Sequence, residues 1–75
     1  MTTEGDARRL CREIAREMGD RRQWWVSLDK INHALPWTFE RTLAAVAYAV
    51  DRAWLTEAGG HSAILRAEGW AMLKE

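Results

Sequence analysis

Pro36, the one proline in the chain, lies between two runs of helical apolar spacing and forbids a single helix across both. Before it, Ser27 stands as an N-cap ahead of Leu28, Ile31 and Leu35. After it, Thr38 stands as an N-cap for a helix whose apolar positions Phe39, Leu43, Val46, Ala47 and Val50 recur to about Ala53. Only Pro36 and Trp37 separate the two, so the spacing predicts two short helices joined by a tight turn. It also predicts a rotation for the second of them. Its aliphatics should face inward, leaving Arg41, Ala44, Ala45, Tyr48 and Arg52 toward water.

On the N-terminal side, Ala7, Leu10, Cys11, Ile14, Ala15 and Met18 follow the i, i+3, i+4, i+7 rhythm, and Gly19 marks a stop. A first helix is expected from Asp6 to Met18, after a flexible stretch of residues 1–5. Arg9, Arg12 and Arg16 fall on its outward face, where Glu13 offsets part of their charge. Gln23-Trp24-Trp25-Val26 is aromatic and β-branched, which suits a brief strand. Past Ala53 the period changes to that of a hairpin. Trp54 to Glu57 and Ser62 to Leu65 flank Gly59-Gly60, a pair able to take the positive φ of a two-residue turn. Such a turn would set Leu55 opposite Ile64 and Trp54 opposite Leu65. Ala67 to Leu73 is expected to close the chain as a short helix. Trp54 and one of Trp24 or Trp25 are expected in the core, with Trp37 exposed.

Seventy-five residues make one domain, 1–75, mainly α with a small antiparallel β-hairpin: an α+β chain of order helix-strand-helix-helix-strand-wing-strand-short helix. Hydrophobic residues at 48% and charged residues at 29% are too apolar for a disordered tail and too interrupted for a membrane protein. Eleven cations balance eleven carboxylates, so no overall field draws the chain to nucleic acid or to an anionic membrane. The lone Cys11 cannot form an internal disulfide, and the start Met1 to Asp6 lacks the basic and apolar parts of a secretory signal, so a cytoplasmic setting is expected.

Two stretches carry a family likeness. Ala49-Val50-Asp51-Arg52-Ala53-Trp54-Leu55 looks like a passage from a third helix through a small residue into a first wing strand. Leu65 to Leu73, with Gly69 inside it, is similar to a wing exit. With the order of elements, they resemble the winged helix-turn-helix family of bacterial regulators. The resemblance implies a non-enzymatic DNA-binding module of a transcription regulator, its third helix in the major groove. Arg41 would then lead as the base contact, near Thr38 at the helix start. Tyr48 and Arg52 would reach phosphates, and Ala44 and Ala45 would let the helix sit close to the bases. Arg9, Arg12 and Arg16 would be further candidates for phosphate contact. The chain departs from the family in two places: Ala53 stands where many relatives place Gly, and the wing tip carries Glu57 and His61 instead of Arg or Lys.

The competing reading is a winged-helix module for protein interaction or dimerisation that does not bind DNA, favoured by zero net charge, the alanine-rich third helix and the non-basic wing. An exposed Trp37 would anchor a protein partner or a second copy. Neither His33 nor His61 has the ligand spacing of a metal site, and Cys11 falls within the buried stripe of the first helix. No set of residues supplies an acid, a base and a nucleophile, so neither a catalytic centre, a cofactor nor a metal is expected.

Overall fold

The computed structural model describes residues 2–75; Met1, the first residue of the expected flexible stretch, lies outside them. Helix α1 runs Thr3–Met18. It starts three residues earlier than the apolar rhythm suggests, because Thr2 Oγ1 accepts the Gly5 amide at 3.0 Å and so caps the helix. Residues 3–5 therefore form its first turn, with Glu4 and Asp6 beside the positive end of the helix dipole. Gly19, at φ 57°, ends the helix, its amide bonding the Ala15 carbonyl.

Strand β1 is only Val26–Ser27. Trp24 and Trp25, expected within it, precede it: the Trp24 amide bonds the Arg21 carbonyl at 3.1 Å, a turn that keeps it off the sheet. Both indoles are exposed, against the expectation that one would be in the core. Helix α2 (Leu28–His33) is capped by Ser27 and helix α3 (Phe39–Asp51) by Thr38, each hydroxyl accepting a backbone amide three residues on. Strands β2 (Leu55–Ala58) and β3 (Ser62–Leu65) form the hairpin, and α4 (Ala67–Leu73) closes the chain.

The sheet is antiparallel in the order β1-β3-β2. The hairpin register differs by one from that of a two-residue turn: Leu55 lies opposite Leu65 and Ala58 opposite Ser62, leaving a three-residue loop, Gly59-Gly60-His61. This register places Leu55, Ala63 and Leu65 together on the covered face. The core beneath is built from Ala7, Leu10, Cys11, Ile14 and Met18 of α1 with residues of every other element, including Leu28, Ile31, Val46, Trp54 and Met72. Architecture of this kind, four helices with a three-stranded antiparallel sheet, is α+β.

Candidate functional site

The rotation of α3 decides what the molecule can present to a partner, and it differs from the sequence expectation. Thr42, Ala45, Val46 and Ala49 are buried, while Phe39, Leu43 and Val50 are 38%, 40% and 42% exposed. The helix carries two apolar stripes that share Val46, one bulky and one small. The small one faces inward, because Ala45, Ala49 and Thr42 let α3 lie close against α1, where dense packing outweighs the size of any single side chain. The contact of α3 with α1 is the most extensive between any two elements.

That rotation turns the cationic and phenolic groups onto α1. Arg41 Nε donates to Asp6 Oδ2 at 2.7 Å and Arg41 Nη2 to Asp6 Oδ1 at 2.8 Å, a bidentate pair across 35 residues of chain. The Tyr48 hydroxyl donates to Glu4 Oε1 at 2.9 Å and accepts from Arg52 Nη2 at 2.8 Å. Arg8 Nε holds the other Glu4 oxygen at 3.3 Å. The Arg41 hydrogen bonds keep the Asp6 carboxyl below its ordinary range, and the Tyr48 and Arg8 hydrogen bonds do the same for Glu4. In return Asp6 raises the Arg41 pKa, and Glu4 raises that of Tyr48.

The expected DNA-contacting residues thus do not form one outward face. Ala45 is fully buried, Arg41 and Tyr48 are half-buried in the clamp on α1, and Thr38 holds the helix start as its cap. Ala44 and Arg52 remain exposed. Arg9, Arg12 and Arg16 are exposed along α1, as expected, with Arg16 3.3 Å from Glu13 and the Arg9 guanidinium 5.6 Å above the Trp37 ring. Trp37 is half-buried and not the free anchor expected: its Nε1 donates to Thr42 Oγ1 at 2.8 Å, and the Arg41 guanidinium lies 4.5 Å from the ring centre. The Thr42 hydroxyl in turn donates a hydrogen bond to Asn32 Oδ1, tying α2, the turn and α3 together.

What faces outward is a groove of about 520 Å³ between α3 and β2. Val46 and Leu55, both buried, form its floor, and the exposed Leu43, Ala47 and Val50 form its α3 wall. Asp51, Glu57 and Arg66 stand on its rim. Sequence reasoning assigned Leu43 and Val50 to the core and so missed this wall. The signal lay in Glu4 and Asp6, two carboxylates in the first turn of α1 that match the Arg41 and Tyr48 of the other stripe.

Among the described residues, no three His, Cys, Asp or Glu side chains gather as metal ligands, and no helix is long and apolar enough to cross a membrane. No protein-family model, curated protein or solved structure matches the chain.

Proposed function

We propose that the chain is a winged-helix domain that binds another protein through the outward face of α3 and the groove beside β2. The order α1-β1-α2-α3-β2-β3, with β3 between β1 and β2, supports the winged-helix reading, β2 and β3 being the wing. One observation carries the choice of partner: the face of α3 left to solvent is apolar, whereas Arg41 and Tyr48 turn inward to Asp6 and Glu4. A duplex reader needs cations aimed at phosphates and polar groups aimed at base edges. The outward side of α3 offers Phe39, Leu43, Ala47 and Val50 with the exposed carboxylates Glu40 and Asp51 of the same helix, which repel phosphate, and across the groove Arg66 stands with Glu57. An apolar row of this kind fits recognition of a helix laid in a groove.

The test is a pair of titrations followed by amide chemical shifts. One uses a synthetic amphipathic peptide of about 18 residues, leucine on one face and glutamine elsewhere, long enough to form a helix on binding. The other uses a mixed-sequence duplex of about 20 base pairs at about 50 mM salt, where phosphate contacts are strong. The peptide should give saturable shifts confined to α3 and β2 that are lost in Leu43→Asp, and the duplex should give none. Saturable duplex binding that survives Leu43→Asp and is lost in Arg52→Ala would replace this reading with DNA recognition.

A further inference from the structure

We infer that the occupant of the α3–β2 groove is a cationic amphipathic helix of a partner protein, with basic residues near both ends of its apolar face. The inference rests on the protein-binding reading and adds the chemistry of the partner to it. Glu40, Ala44, Ala47 and Asp51 lie at i, i+4, i+7 and i+11, one row on α3, beside the row of Phe39, Leu43 and Val50. The apolar wall is therefore bracketed by a carboxylate at each end, about 16 Å apart at the rise of an α-helix. Glu57 adds a third carboxylate on the β2 side; its Oε1 accepts the Gly60 amide at 3.0 Å. Among the described residues none of the three takes part in an ion pair. Arg66, the cation on the groove rim, lies 3.9 Å from Glu68.

Asp51 gives the sharper indication. It closes the last turn of α3, where the helix dipole is negative, and that turn contains no basic residue. A carboxylate there is unfavourable in the isolated chain and becomes favourable when a partner brings a cation to it. Glu40, at the positive end of the same helix, is neutral to that argument but extends the negative rim.

The same charges argue against a second copy of this chain as the occupant. In a two-fold contact through this row, an axis across the helix would set Glu40 against Asp51 of the other copy. An axis along it would set each carboxylate against its own equivalent. Both place like charges at the two ends of the contact, and a foreign helix with cations there does the reverse.

Three synthetic helices of about 18 residues test this, sharing one leucine face and differing only in the residues that flank it: lysine, glutamine or glutamate. On the native chain the lysine helix should bind about tenfold tighter than the glutamine helix, and the glutamate helix more weakly than either. The spread should shrink between about 50 and 300 mM salt, as screening predicts. In Glu40→Lys with Asp51→Lys, two exposed positions whose folding is checked by circular dichroism, the order should reverse. Equal affinity for all three helices would overturn the cationic assignment while leaving the groove as a protein site. No binding by any of them would overturn the protein-binding reading itself. A native chain that sediments as a dimer, becomes a monomer in Leu43→Asp and binds the helices only as monomer would make a second copy the occupant.

Discussion

Arg41 on α3 grips both carboxylate oxygens of Asp6 on α1, at 2.7 and 2.8 Å, and this pair joins the two helices beside the buried Thr42, Ala45 and Ala49 face. The carboxylate is held below its ordinary pKa, first by the Arg41 hydrogen bonds. A group whose folded pKa is depressed contributes stability above its unfolded pKa and loses it as pH falls through the folded one. Glu4, lowered by Tyr48 and Arg8, works in the same direction. Stability should accordingly be level near neutrality and fall as the pH drops below about 4, where free carboxyls protonate. Asp6→Asn should be less stable than the native chain at pH 7 and show a shallower acid limb in a series of melting temperatures. An acid limb as steep in Asp6→Asn as in the native chain would remove this clamp from the account.

The inward side of α3 can be tested by size. Leu43 is exposed on the groove wall, so Leu43→Ala should cost less than about 1 kcal/mol, well under the 2–5 kcal/mol of a buried leucine. Ala45 is fully buried against α1, so Ala45→Leu should destabilise by about 1–3 kcal/mol through overpacking. Urea denaturation of the two variants reads both numbers. The reverse ranking would turn α3 back to the orientation expected from its bulky residues.

These residues also mark how far the sequence reaches. Local features were legible because their causes are local: Ser27 and Thr38 cap the helices that follow them, Pro36 separates those helices, and Gly59-Gly60 sits in the hairpin loop at positive φ. The stripe of α1 was legible because it is the one apolar face on that helix. The rotation of α3 was not, since two apolar stripes compete and the winner is chosen by partners over 30 residues away, Glu4 and Asp6, and by how closely α1 approaches. Likewise the strand propensity of Trp24 and Trp25 lost to a turn onto Arg21, and the hairpin register was set by which leucines the core covers. The same unseen rotation hid the groove, because its wall is the stripe that the core did not take.

Ala53, at φ 62°, follows α3 in a left-handed conformation that costs an L-residue with a Cβ about 1 kcal/mol or more. Its amide bonds the Val50 carbonyl at 3.0 Å, and the next amide, of Trp54, bonds Ala49 at 2.9 Å, so the conformation is held by the helix end. Ala53→Gly should relieve it and stabilise the chain by about 0.5–1 kcal/mol after the entropy of the unfolded glycine is subtracted. A lower melting temperature in Ala53→Gly would show that the Cβ contributes packing larger than the strain.

Cys11 is fully buried in the α1 stripe, and burial pushes its thiol up to about 12. Thiolate is the reactive form, so alkylation at pH 8 should be slow in the native chain and should follow the fraction unfolded as urea is added. Labelling well before the unfolding transition, as detected by mass, would reveal local opening of α1 away from α3.

Asp51 closes α3 at the negative end of its dipole with no basic residue in the last turn. A carboxylate there works against folding by a few tenths of a kcal/mol up to about 1. Asp51→Asn keeps the shape and removes the charge, so the isolated chain should become more stable by about that amount, and more so at low salt than at high. The gain would identify Asp51 as a residue whose charge does nothing for the fold, which is the condition for its serving the groove. If Asp51→Asn instead lowers the melting temperature, the carboxylate holds a structural contact of its own and the negative rim loses one of its two ends.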